Sequence, residues 1–166
     1  MKLTDQFLAL LVTFIWGTNF VFIEIGLRDF PPFIFACFRF VAVVFPLIFF
    51  LPKPKVGWIA LSAYGFLIGF GQFGLLFFAI RDNITPGLAS LVVQIQVFFT
   101  ILLSTYLLSE TINKLQWLAL VISLCGLAVI AYYSDGQTTL LGLIIVAIAA
   151  LSWAGGNLIV KVAKPT

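Results

Sequence analysis

The sequence predicts an all-α membrane protein with six transmembrane helices, and three observations carry that prediction. The chain is 63% hydrophobic and 9% charged. With a mean hydropathy of +1.20, its six acids and nine bases are too few to solvate the surface of a soluble domain. The apolar runs are about 20 residues long, which at 1.5 Å per residue spans the roughly 30 Å hydrocarbon layer. They do not alternate and are about twice the length that a membrane β-strand needs, which argues against a barrel.

Span 1 covers residues 7–27 and carries no charge before Glu24. Near its middle sit Trp16, Gly17 and Asn19, groups that are costly in lipid and are expected to face protein or a cavity. Lys2 followed by an apolar run resembles a signal peptide only superficially. The run is too long for an h-region, and Arg28-Asp29-Phe30-Pro31-Pro32 stands where a cleavage site would follow, so span 1 is expected to be retained. Span 2 covers about 33–51 and is closed by Pro52-Lys53-Pro54-Lys55; span 3 covers about 58–80 and ends at Arg81-Asp82-Asn83. Thr85-Pro86 reads as an N-cap with proline at the first helical position, opening span 4 over 86–108. Span 5 covers about 115–133, and span 6, about 140–160, follows Ser134-Asp135-Gly136-Gln137. Cys37 and Cys125 lie inside spans and read as buried small hydrophobes rather than a disulfide or metal framework.

With a cytoplasmic N-terminus, the inner segments hold Lys2, Lys53, Lys55, Lys114, Lys161 and Lys164, and the outer turns hold only Arg28 and Arg81. That bias predicts both termini inside. The net charge of +3 arises mostly from these lysines, so nucleic acid is not an expected partner; the lipid bilayer is.

Trp16 and Trp153 lie 137 positions apart, an offset at which Glu24 faces Lys161 and Asn19 misses Asn157 by one. The offset contains five spans, so a second copy would enter the membrane from the opposite side, as in inverted-repeat transporters. The other reading is coincidence between two tryptophan-bearing apolar helices.

WGTNFVFIEIGL in span 1, PPFIFACFRF opening span 2, TPGLASLVVQIQVFFTILLSTYLLSE in span 4 and SWAGGN in span 6 together resemble the EamA family of the drug/metabolite transporter superfamily, across essentially the whole chain. The resemblance implies a ten-helix fold of two inverted five-helix repeats, of which this chain is the first half. Residues 1–135 are then the first repeat, and 136–166 the first helix of a truncated second. It also implies residence in the bacterial inner membrane and export of small amino-acid-like metabolites such as cysteine and O-acetylserine. The missing second repeat, or another copy of the chain, is the implied partner. One departure is Glu24, where family members often carry a lysine; no inference about substrate charge is carried over from that position.

The residues themselves place carboxamides at similar depth on three helices, namely Asn19, Gln72 and Gln94, with Trp153 and Asn157 one turn apart on span 6. Such groups offer donors and acceptors to a zwitterion without fixing its charge, which makes these five and Trp16 the candidate substrate site. Gln94 and Gln96 point about 200° apart on a helix. Gln94 is assigned to the cavity and Gln96 to bonding a neighbouring helix, the alternative being that both are structural. Gly65 and Gly69 share a stripe with Gln72 and read as a helix-packing surface. Phe20, Phe73 and Phe98 are candidates for a pocket wall.

Arg39, inside span 2, is read as one half of an ion pair with Glu24 at the outer mouth of the cavity; the alternative is that it snorkels to headgroups. Glu110 opposes the dipole of the helix it ends, so a partner is expected, with Lys114 at i+4 the nearest basic residue. The resemblance places a glutamate here too, read as structural or gating. No cofactor or metal is implied, since the chain has no histidine. An intramembrane enzyme has neither paired aspartates nor a serine with an identifiable base. The alternative to transport is a non-transporting or oligomeric membrane scaffold subunit. Antiparallel pairing of two copies runs against the lysine bias.

Overall fold

The computed structural model describes residues 3–52, 54–132, 136 and 138–163. Among the described residues six helices run in chain order: α1 Leu3–Asp29, α2 Pro32–Leu47, α3 Trp58–Asp82, α4 Pro86–Leu108, α5 Lys114–Tyr132 and α6 Leu140–Ala163. No strand occurs among the described residues. Helices α1, α3, α4 and α6 are long and apolar enough to cross a membrane, while α2 and α5 are shorter apolar helices. Lys2, Lys53 and Lys164, on which half of the inner-lysine count rests, lie outside the described residues, as do residues 133–135 and 137 of the turn before α6.

The second helix is shorter than the 33–51 expected. It stops at Leu47, one residue after Pro46, which has no N–H to donate and disfavours continuation. Its 16 residues rise about 24 Å. Thr85 caps α4 with extended backbone and Pro86 at the first position, but its hydroxyl makes no capping bond. A reciprocal box opens α5 instead: the Gln116 N–H donates to Asn113 Oδ1 at 2.8 Å and the Asn113 N–H to Gln116 Oε1 at 2.9 Å.

Two helices depart from α geometry where the expected site residues lie. In α3, Phe66–Gly74 is π-helical. In α4, Val93–Ile95 is a 3₁₀ turn. Both widen or tighten the turn and so change which residues share a face.

Helices α3, α4 and α6 pack along their lengths, whereas α1 and α2 join them through the halves nearer the Arg28–Pro32 turn and through Trp16, which stacks on Trp153. The buried core therefore gathers at that end: Ile23 and Leu27; Ala36; Leu76, Phe77, Ala79 and Ile80; Leu88, Ala89, Val92 and Val93; and Val146, Ala149 and Ala150. The first half of α1 and the last half of α2 are exposed, and α5 flanks α4 alone. A clasp closes the packed end. The Thr139 N–H donates to the Asn83 carbonyl at 2.9 Å, and Gly142 approaches that carbonyl so closely that a Cβ would collide with it, which is why glycine stands there.

Candidate functional site

A cavity of about 160 Å³ lies between five helices, lined by Trp16 and Asn19 from α1, Arg39 from α2, Gln72 from α3, Gln94 from α4 and Trp153 from α6. It is smaller than the roughly 300–1,000 Å³ of drug-sized pockets and suits a solute of few heavy atoms. Gln72 sits in the π segment and Gln94 in the 3₁₀ turn, so the irregular turns carry two of its polar groups. The Trp16 and Trp153 rings stack 14° from parallel with centroids 5.8 Å apart, forming an aromatic wall. Phe20 and Phe73 line the same cavity, while Phe98 lies in the cleft between α4 and α5.

No protein group hydrogen-bonds the side chains of Asn19, Gln72 or Gln94 among the described residues. Yet no fully buried side-chain nitrogen or oxygen there lacks a partner. Their polar atoms therefore stay reachable from the cavity, even for Gln72, which is only 3% exposed.

Arg39 occupies a different place from the one expected. Its guanidinium carbon lies 4.6 Å from the centroid of the Phe73 ring and 5.9 Å from that of Phe77, and it forms no salt bridge among the described residues. Glu24 pairs instead with Arg28, one turn along the same helix, at 3.2 Å. The ion pair across α1 and α2 is therefore corrected: the i, i+4 neighbour reaches the carboxylate first, and Arg39 turns onto the aromatic bed of α3. A cation–π contact is worth about 0.5–2 kcal/mol, against roughly 2.5–3.5 kcal/mol for placing arginine at a helix centre in lipid. The aromatic bed alone leaves that charge incompletely compensated, and no carboxylate lines the cavity among the described residues.

Asn157 does not line the cavity. It is the top of a polar seam between α4 and α6, where its Nδ2 donates to Gln96 Oε1 at 3.2 Å and to Thr100 Oγ1 at 3.3 Å. Gln96 thus bonds a neighbouring helix while Gln94 faces the cavity. One turn lower, Lys161 Nζ donates to Ser104 Oγ at 3.5 Å and to Glu110 Oε2 at 2.6 Å. Lys161, not Lys114, is the partner of Glu110. Ser109 ends α4 in the left-handed region at φ 54°, so Glu110 and Lys114 do not share a helix and the i, i+4 relation fails. The seam was missed in the sequence although its signal was present: residues 96, 100 and 104 on one helix and 157 and 161 on the other repeat every fourth position.

Gly65 and Gly69 are likewise corrected. Neither has an atom within 4 Å of where a Cβ would stand; they border an apolar groove between α2 and α3. The π turns rotate Gln72 off their face and bring Gly71 against Ser152 of α6. Cys37 and Cys125 are exposed rather than buried.

A five-helix cavity of unpartnered amides and stacked indoles within a multi-pass membrane protein is transporter architecture, and the chain belongs to the EamA-like transporter family, which it matches over residues 4–132. Among curated relatives it is similar to a probable amino-acid metabolite efflux pump of Salmonella typhimurium, 44% identical over 163 residues. Its counterpart in Escherichia coli is 43% identical, and each alignment covers 97% of this chain and 54% of the relative. An uncharacterized transporter of Bacillus subtilis, YoaV, is 30% identical, over 90% of this chain and 54% of the relative. The chain spans about half the length of these relatives. No solved structure matches.

Proposed function

We propose that the chain is an inner-membrane exporter, or half of one, for small amino-acid-like metabolites such as cysteine and O-acetylserine. In this reading six helices cross the bacterial inner membrane with both termini cytoplasmic, and the solute is held by Trp16, Asn19, Gln72, Gln94 and Trp153. The observation that carries it is the cavity, where amides on three helices face open space instead of one another. A small zwitterion would use their donors and acceptors together. Asn157 enters as a support for α6, one turn below Trp153. Glu110 acts as half of a cytoplasmic latch with Lys161, which ties α4 to α6 and would open or close with alternating access.

The repeat reading, 1–135 followed by the first helix of a second repeat over 136–166, draws support from the two tryptophans that suggested it. Their stacking brings the two positions related by the 137-residue offset into contact, as a pseudo-two-fold axis passing between α1 and α6 would allow. Labelled cysteine and O-acetylserine uptake into inside-out vesicles tests the proposal, comparing this chain with one completed by a second five-helix repeat. Transport by the completed form alone makes residues 1–166 half a transporter. Transport by neither removes the substrate class.

A second reading, an oligomeric or non-transporting subunit, is favoured by one observation. The groove between α2 and α3, about 630 Å³, is open and almost wholly apolar, a surface that a second repeat or another copy would cover.

A further inference from the structure

We propose that Arg39 is the carboxylate anchor of the cavity. Its guanidinium receives the carboxylate of the solute, and the amides of Asn19, Gln72 and Gln94 serve the solute's remaining polar groups. The inference rests on the transporter reading above and narrows it, because acids and zwitterions are held more tightly than the matching esters and amines.

Four observations converge. Arg39 is half-buried in the cavity wall and is the one formally charged side chain that lines it among the described residues. Its guanidinium stands over the Phe73 ring, and the planar fork keeps its N–H donors around its edge, so contact with the ring leaves donors free for a planar, bidentate acceptor. No carboxylate lines the cavity among the described residues, and Glu24 of α1 is held by Arg28. Finally, the three amides carry no charge, so the described wall offers a cationic group only aromatic faces and amide oxygens, and Arg39 repels it, whereas an anionic group meets a charge-assisted pair.

The test uses the tryptophan fluorescence of the whole chain in nanodiscs of zwitterionic lipid, since Trp16 and Trp153 line the cavity. L-cysteine and its ethyl ester are the two probes, differing at the carboxylate. The wild type is expected to bind the acid roughly tenfold or more tighter than the ester. Arg39→Gln should weaken the acid by roughly the same factor and leave the ester unchanged, which also shows that the variant is folded. Arg39→Lys should keep part of the preference, as a charge without the fork.

Equal affinity of the wild type for acid and ester overturns the anchor and leaves the transporter reading standing. Binding of neither overturns both. A parallel loss of both ligands in Arg39→Gln makes Arg39 structural and overturns the anchor. Repeating the titration with an anionic lipid present assigns the charge: if the lipid displaces cysteine, Arg39 belongs to a headgroup and the proposal fails.

Discussion

The five-helix cavity and the α4–α6 seam are made of the same chemistry and put it to opposite ends. Each holds carboxamides and one basic side chain between apolar helices: Asn19, Gln72, Gln94 and Arg39 in the cavity, Gln96, Asn157 and Lys161 in the seam. In the seam every one of these groups is answered by the protein. Asn157 meets Gln96 and Thr100, and Lys161 meets Ser104 and Glu110. In the cavity the amides meet no protein partner and the arginine meets only aromatic faces. Polarity inside a membrane protein is therefore a weak sign of function by itself. Polarity that the fold leaves unanswered is the stronger sign, because such groups are expensive in lipid unless something else arrives to satisfy them.

The largest expected effect separates the two regions directly. Gln72→Leu and Trp153→Ala, made in the form that transports, should each cut vesicle transport by roughly tenfold or more. Thermal unfolding in detergent should move little for Gln72→Leu, whose amide gives up no protein hydrogen bond. If Gln72→Leu instead unfolds the protein and transport per folded molecule is untouched, the cavity is as structural as the seam and the contrast collapses.

Asn157→Leu should do the reverse. It removes the donor to Gln96 and Thr100, worth about 0.6–1.7 kcal/mol for an interhelical bond in a membrane protein. Stability should fall by that amount while solute affinity of the folded fraction stays near wild type. A stability unchanged by Asn157→Leu together with lost binding would move Asn157 back into the substrate site.

How far the two regions could be read from the chain follows from what sets each. Helix number and order rest on apolar length, and the membrane class on composition, both of which are properties of the chain. The cavity was legible in part, because Trp16, Asn19, Gln72, Gln94 and Trp153 stand out as polar or bulky groups in apolar runs. Which partner a side chain takes was not. The Glu24–Arg28 and Glu110–Lys161 pairs depend on where helices stop and how they rotate, and a left-handed Ser109 or a π-helical Phe66–Gly74 leaves no plain trace in residue types. Angular arithmetic at 100° per residue assumed regular helix through the two segments that are irregular. It placed Gly65 and Gly69 on the face of Gln72 for that reason.

The latch at the foot of the seam should contribute less than its short distance suggests. Glu110 and Lys161 are 2.6 Å apart, but both side chains are 47% exposed, so screening limits the pair to about 0–1 kcal/mol. Glu110→Gln should lower stability within that range at low salt and by less at high salt. The exchange Glu110→Lys with Lys161→Glu should restore most of it. If the exchange fails while each single variant is destabilised, Glu110 and Lys161 act through separate contacts and the latch is not a pair.

The smallest effect concerns Ser109, whose backbone aims Glu110 at the seam. A non-glycine residue at φ 54° is strained by roughly 1–2 kcal/mol, and glycine loses about 0.5–1 kcal/mol through chain entropy in exchange for relieving it. Ser109→Gly should therefore raise stability slightly, by up to about 1 kcal/mol, with the latch intact. Ser109→Val, β-branched and poorly suited to that conformation, should turn the chain out of the left-handed region and swing Glu110 away from Lys161. The backbone cost and the latch are separable in a double-mutant cycle. Ser109→Val and Glu110→Gln should be less than additive, because the second change removes a contact the first has already broken. Full additivity would mean that the Ser109 turn ends α4 without aiming Glu110, and the seam would then stop at Ser104.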